Sequence, residues 1–174
     1  RELVYRDPNI SSVWALPIRP RPVPPVSAST LDPAARDAES PTGTFFMQNV
    51  YESWPTKLPA KIKSLRIVQV LPKTTPNANQ PTVAAANASP GKQLRGTVPV
   101  EEDGSAHFEA PACKPLLFQA LDENGRMVQG MRSLVYLQPG EAAGCVGCHE
   151  DRMAAVPSAK TIASTKKPAQ IKPG

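Results

Sequence analysis

The 174 residues suffice for one domain of ordinary size, or for a smaller domain with irregular flanks; 21 prolines against 10 glycines, with 5% aromatic residues, favour the second arrangement. No apolar run approaches the roughly 20 residues that span a bilayer, so we do not expect the chain to be membrane-spanning. The formal net charge of +5 does not indicate nucleic-acid binding, because four lysines in the acid-free tail 154–174 supply most of it. We expect residues 154–174 to be a solvated Lys/Pro-rich tail or linker.

Residues 1–42 contain eight prolines, including the run PIRPRPVPPV at 17–26. Proline fixes φ and has no amide donor, so this segment is predicted to run extended rather than helical. Such a segment can be a ligand for an SH3-like domain, but a strap that joins two domains is the interpretation we favour.

Short β-rich runs begin at Gly43. Six of them read as strands: 44–51, 62–71, 94–100, 105–110, 116–121 and 127–137. A long loop (72–93), rich in Pro, Asn and Ala, separates the second run from the third, and no helix is predicted. The pattern predicts an all-β domain over 43–141, an antiparallel β-sandwich of immunoglobulin or transthyretin type.

Two turns predict hairpins. In TVPVEEDGSAHFEA (97–110) the apolar positions share a face if Glu102-Asp103-Gly104 forms a three-residue loop with Gly104 left-handed. In LLFQALDENGRMVQGM (116–131) a two-residue Asn124-Gly125 turn would set Phe118 opposite Met131, and Leu121 opposite Val128.

The stretch GCVGCHEDR (144–152) contains a Cys-x-x-Cys-His motif formed by Cys145, Cys148 and His149. This is the attachment signature of c-type haem, in which two thiols bond the vinyl groups and the adjacent imidazole reaches the iron. We therefore predict that residues 142–153 form a haem-binding loop. It would carry one covalent haem c on Cys145 and Cys148, with His149 as the proximal iron ligand.

Other uses of this motif remain open. A zinc site would recruit Cys113 to complete a Cys₃His set, although a second close pair is missing. A thioredoxin-like redox pair expects a βαβ context that the sequence lacks. A disulfide between Cys145 and Cys148 would close a small, strained loop. Outside the zinc alternative, Cys113 is expected to be a buried free thiol.

Four segments together resemble the middle domain of the hydrazine synthase alpha subunit and the bacterial c-type cytochrome domain proteins related to it. They are TGTFFMQNVYES, VPVEEDGSAHFEAP, LFQALDENGRMVQGMRS and YLQPGEAAGCVGCHEDR. The resemblance covers about residues 1–153. It implies a preceding β-propeller and a following cytochrome-like segment, so the two flanks read as straps between domains.

The sequence differs from hydrazine synthase at one position next to the motif. In hydrazine synthase a tyrosine four residues after the motif histidine ligates the haem iron, and that histidine is drawn to zinc. Here Met153 stands at that position. This difference argues against hydrazine synthesis and favours ordinary ligation by His149.

A second iron ligand could come from several side chains. Met131 is the candidate we name, although its place opposite Phe118 favours a core role. The others are Met47, His107, Met127 and Met153. An open sixth position is a further alternative.

The sequence therefore predicts a monohaem c-type cytochrome domain that transfers electrons within a larger periplasmic or extracellular assembly. Its partners would be other redox proteins or subunits of the same complex. Two alternatives stay open: a structural or docking β-sandwich module, and a haem enzyme acting on a small nitrogen or oxygen species. No acid–base pair near the motif supports the enzyme, so we lean towards a domain without catalytic activity.

Overall fold

The structure is a computed structural model that describes most of the chain: residues 3, 5–11, 13, 16, 18–29, 31, 33–53, 57–77, 80–82, 90–149, 153 and 159–173. Its elements, in chain order, are α1 (Pro33–Arg36), β1 (Thr42–Met47), β2 (Ser64–Val70), β3 (Lys92–Pro99), β4 (Ala106–Pro111), β5 (Leu116–Leu121), β6 (Met127–Gly130), β7 (Ala142–Cys145) and a 3₁₀ turn (Ala163–Thr165). The prediction of a mostly β chain with hardly any helix is confirmed.

The strands form two sheets, with orders β4-β1-β7 and β3-β2-β5-β6. The β4–β1 pair and all pairs of the second sheet are antiparallel, whereas β1 and β7 run parallel. The prediction of a wholly antiparallel fold is therefore wrong for the first sheet. The immunoglobulin or transthyretin type stays a prediction.

One hydrophobic core joins the two sheets. In β1 and β4 every second residue is buried, as expected for strands with one face on a core. Phe45 and Phe108 of the first sheet meet Phe118 of the second, with ring centroids 5.0 and 5.4 Å from Phe118 and near-perpendicular planes. Edge-to-face contacts of this kind place the positive ring edge against the negative ring face, so they fix the position of the sheets relative to each other.

The first predicted hairpin is wrong in its pairing. Strand β3 pairs with β2 and strand β4 pairs with β1, so the 100–105 connection passes from one sheet to the other. The turn itself forms as expected, with Gly104 at φ 85° and a hydrogen bond from Glu101 N to Ser105 O of 2.8 Å. Val98 and Phe108 still face one core, because that core lies between the sheets. The alternation of apolar residues predicted which face of each strand is buried, but not which strand pairs with which.

The second predicted hairpin is confirmed between β5 and β6, with a shift in its register. Met131 N donates to Phe118 O at 3.0 Å, as predicted, but Leu121 lies opposite Met127 rather than Val128. The shift occurs because the turn has three residues, closed by a 3.0 Å bond from Asp122 N to Arg126 O. Asp122 Oδ1 also accepts from the amides of Asn124 and Arg126, which favours the longer turn.

The tail is not a solvated linker over residues 159–173. Thr97 and Lys172 exchange two backbone hydrogen bonds, and Ala169 bonds in the same way to His107 and Glu109. The tail thereby pairs with β3 of one sheet and β4 of the other. We call residues 159–173 the edge strap, because β3 and β4 are the edge strands of their sheets.

Side chains hold the edge strap at a second point. Asp103 Oδ2 accepts from Ile162 N at 2.7 Å, and the buried Ser105 hydroxyl accepts from Ala163 N at 3.0 Å. Lys166 Nζ lies 2.7 Å from Glu101 Oε2, so one of the tail lysines is neutralised by the body of the domain. The tail's excess charge had suggested solvation, but its backbone and small apolar residues determine its position.

Candidate functional site

The Cys-x-x-Cys-His motif begins on a strand that the sequence did not predict. Cys145 is the last residue of β7 and lies opposite Met47 in the parallel pair with β1. The side chains of Cys145 and Cys148 are both half-buried and pack against the core. The first four residues of the predicted haem-binding loop are thus a strand at the edge of the first sheet.

Backbone hydrogen bonds continue along the motif after the strand ends. Gln48 N donates to Cys145 O at 2.9 Å, Asn49 N donates to Val146 O at 3.0 Å, and Cys148 N donates to Glu52 O at 3.1 Å. A further bridge joins Ser53 to His149. The whole motif therefore lies along residues 47–53, which fix its conformation.

Residues 47–53 are themselves fixed by the core. Val50 is fully buried, and its amide donates to Gly104 O at 2.8 Å. The Asn49 side chain accepts from Tyr51 N at 3.0 Å, and the Tyr51 hydroxyl accepts from Ile62 N at 3.0 Å. The motif thus rests on a turn with few degrees of freedom, which is the kind of support that a preorganised site needs.

The two motif glycines differ in their surroundings. A Cβ on Gly147 would collide with the carbonyl oxygen of Glu52, whereas a Cβ on Gly144 would meet nothing closer than Phe46 O at 3.9 Å. In the structure Gly147 allows the motif to approach the Glu52 backbone.

The state of the cysteines bears on what the motif can hold. Within the described residues Cys113, Cys145 and Cys148 form no disulfide, and His149 is exposed. Two cysteines three residues apart, followed at once by an exposed histidine, are the donor set that covalent haem attachment requires. The residues present fit that group: Cys145 and Cys148 would form its thioether bonds, and His149 would bind its iron.

The zinc alternative does not fit this arrangement. Cys113, Cys145, Cys148 and His149 all belong to the described part of the chain, and no three or more His, Cys, Asp or Glu side chains in that part converge as metal ligands do. Cys113 lies instead in the turn after β4, where its amide donates to Leu137 O at 2.7 Å. The Cys₃His set of the zinc alternative is therefore not assembled in the described residues.

Cys113 also differs from its predicted environment. Its side chain is exposed, not buried, and its backbone has a φ of 55° in the left-handed region. It lines a cleft of about 450 Å³ together with, among others, Arg95, Glu109 and Ile171. The prediction failed because the chain turns between these two residues. Ala112 is buried, whereas the side chain of Cys113 is exposed.

The candidates for a second iron ligand lie in different surroundings. Met131 packs against the core, and its sulfur lies 3.4 Å from Phe118 N. His107 is half-buried on the outer face of β4, where its ring meets Phe46 and its Nδ1 lies 3.3 Å from Lys166 O. Met153 is 91% exposed. The assignment of Met131 as a distal ligand stays a prediction.

The segment that supports the motif was missed by sequence reasoning. Strand β7 has the sequence AAGC, which contains no β-branched or aromatic residue and therefore gives no strand signal. Residues 48–51 were interpreted as the end of a strand, although they belong to the turn that binds the motif. A signal was present in Asn49, since asparagine favours turns by bonding to nearby backbone amides.

No helix in the described residues is long and apolar enough to cross a bilayer.

Three comparisons with known proteins bear on this site. The family model of the hydrazine synthase alpha subunit middle domain matches residues 60–150, which is just over half of the chain and includes the motif up to His149. No curated protein matches the chain significantly.

A solved structure shares the fold. It is Kuenenia stuttgartiensis hydrazine synthase, which aligns with a TM-score of 0.63 at 24% sequence identity over 72% of this chain. The aligned region covers 20% of that protein's chain, so the present sequence spans about a fifth of its length. From the family match, this chain belongs to the hydrazine synthase alpha subunit middle domain family.

Proposed function

We propose that this chain is a β module that takes its place in a larger assembly of hydrazine synthase type and contacts other subunits there. The observation that carries the proposal is the family match over residues 60–150, since an alpha subunit implies further subunits. The fold supports it, because one core holds both sheets and the edge strap, and such a rigid body suits docking.

Co-purification with the other subunits of its own source tests this role. We expect the chain to elute with them in size-exclusion chromatography, and a variant with both Cys145→Ala and Cys148→Ala to elute there as well, since docking does not require haem. A chain that elutes alone at every concentration would refute the docking role.

We further propose that the module carries one covalent haem c and transfers electrons, which places it outside the cytoplasm, where such haem is attached. The support is the spacing of Cys145, Cys148 and the exposed His149, in a motif fixed by backbone bonds to residues 47–53. The bound group would supply a one-electron redox centre. The chain would hold that group through Cys145 and Cys148, and His149 would bind the iron.

Haem attachment can be tested in bacteria with a cytochrome-maturation system. We expect exported chain to be red and to keep its haem through acid–acetone extraction, and we expect Cys145→Ala or Cys148→Ala to reduce or abolish that attachment. Cys113→Ala is the matched control and should attach haem normally, because Cys113 lies outside the motif. Colourless protein from the unaltered chain would overturn the haem proposal but not the docking role.

Carbon monoxide separates electron transfer from catalysis on a small nitrogen or oxygen species. An electron-transfer iron with six protein and porphyrin ligands would leave carbon monoxide no position to bind. We therefore expect the spectrum of the reduced protein to be unchanged by the gas. A shifted spectrum would instead favour the haem enzyme.

A further inference from the structure

The N-terminal segment carries large apolar side chains outside the core. Residues 18–29 contain neither helix nor strand, and every side chain among them is exposed. Val23 and Val26 are 88% and 97% exposed, and Ile18 is fully so. Exposed apolar side chains that lie close together are typical of surfaces that bind another protein.

Proline content limits the way in which this segment can bind. Residues 18–26 read IRPRPVPPV, so four of nine positions lack an amide donor. The segment therefore cannot add a regular strand to a sheet edge, and it cannot form a helix. What remains is docking through side chains and carbonyl groups in the polyproline II conformation, which proline favours and which costs little entropy to fix.

The side chains fall into faces when the segment adopts that conformation. Polyproline II has three residues per turn, so Pro20, Val23 and Val26 share one wholly apolar face. Arg19, Pro22 and Pro25 share a second face, with the arginine at its N-terminal end. No Asp or Glu occurs between Asp7 and Asp32, so this end of the segment is positively charged.

We infer that residues 18–26 are a docking peptide for a groove on another subunit, lined by aromatic side chains and carrying carboxylates at one end. The rings would pack on the proline and valine faces, and tyrosine or tryptophan donors would bond to the exposed carbonyls. The carboxylates would lie at the end that receives Arg19. This inference rests on the proposed docking role and names the segment and the partner chemistry behind it.

Two experiments test the inference on the full chain in its native assembly. In the first, Pro22→Ala with Pro25→Ala should lower co-elution with the other subunits at least several-fold. The matched control replaces two exposed prolines of the loop after β2, Pro72→Ala with Pro76→Ala, and should assemble normally. Equal assembly of both double variants would overturn the inference while leaving the docking role intact.

The second experiment identifies the surface that is bound. A benzoylphenylalanine photo-crosslinker at Val23 should label another subunit beside aromatic and acidic residues, and a synthetic peptide of residues 16–28 should compete with that labelling. Labelling within this chain, or of a surface that lacks aromatic residues, would overturn the inference. If the unaltered chain does not co-elute at all, the docking role itself fails and this inference fails with it.

Discussion

The backbone of Gly147 lies against the carbonyl group of Glu52, so close that this oxygen occupies the space a Cβ on Gly147 would need. The contact brings the centre of the Cys-x-x-Cys-His motif onto the turn that supports it, and the 3.1 Å bond from Cys148 N to Glu52 O follows directly. The conformation of the motif between the two cysteines therefore depends on Glu52, a residue that would not itself touch a cofactor.

Substitution of Gly147 is expected to displace the motif. Gly147→Ala should lower the free energy of unfolding by roughly 1–3 kcal/mol, because the backbone must move to relieve the collision. Thermal unfolding and haem content would both report the change. Gly144→Ala is the control within the same motif and should affect neither, since its Cβ would have ordinary contacts. Equal effects of both substitutions would contradict the role given to Glu52.

Phe118 is expected to be a sensitive aromatic position of the core. Its ring meets both Phe45 and Phe108, so Phe118→Ala should destabilise the fold by about 3–5 kcal/mol through lost burial and the cavity left behind. Phe46→Ala is the control, because Phe46 is half-buried on the outer face of β1. Urea unfolding of the two variants measures the difference. Similar midpoints would contradict the stabilising role given to Phe118 in the core.

Gly96 is expected to control docking of the edge strap. Its φ of 137° is disfavoured for other residues, and a Cβ there would collide with Lys172 O. Gly96→Ala should therefore cost roughly 1–3 kcal/mol and make the strap susceptible to trypsin after Lys160 and Lys166. Gly91→Ala, whose Cβ would meet Leu71 at 3.8 Å, serves as the tolerated control. An intact strap in Gly96→Ala would disprove the assignment.

Asp103 should make strap docking depend on pH. Partial burial raises the pKa of Asp103, but hydrogen bonds from the Ser105 hydroxyl and from the amides of Ile162 and Ser105 outweigh that effect, so the pKa is lowered overall. A carboxylate with a lowered folded-state pKa stabilises the fold above its unfolded value of about 4. That stabilisation is lost as the pH falls through the lowered value.

Hydrogen exchange can follow this release. Amides of residues 161–165 should lose protection as the pH falls below about 4, before those of β2 do, because the carboxylate that holds them becomes protonated. At neutral pH, Asp103→Ala should have the same effect and cost about 1–2 kcal/mol. Glu102→Ala is the neighbouring exposed control. Strap protection that survives both acid and Asp103→Ala would refute the prediction.

His149 should determine the spectrum if haem is bound as proposed. Thioether bonds at Cys145 and Cys148 would leave its imidazole little freedom, so His149→Ala should keep covalent haem but lose the low-spin spectrum. Met153→Ala should change the spectrum little, because a thioether is a poor replacement for the tyrosinate of hydrazine synthase. The opposite pattern in the two variants would show that Met153 is the ligand.

Local patterns in the sequence predicted much of this fold. The strands around Phe45, Ile67 and Phe118 follow from period-two alternation or from short apolar runs, and Gly104 and Gly125 mark turns where left-handed backbone is observed. Alternation fixes which face is buried, but it does not specify the partner strand, so the separation of β3 from β4 could not be derived.

The support of the motif was harder to predict than the motif itself. Cys145, Cys148 and His149 are recognisable because their chemistry requires one spacing. The parallel pairing of Cys145 with Met47 and the contact of Gly147 with Glu52 join residues about 100 positions apart and leave no local pattern. The edge strap was misjudged for the same reason, since its hydrogen bonds use backbone groups that every residue has.

The edge strap also bears on which strand edges are open to a neighbouring chain. An unpaired strand edge is a template to which a foreign strand can add, and the strap bonds to part of that edge on both β3 and β4. Among the described strands, the other ends of the two sheets are β6 and β7. A chain that extended the first sheet at β7 would lie beside Cys145, and its side chains would then form part of the surroundings of the motif.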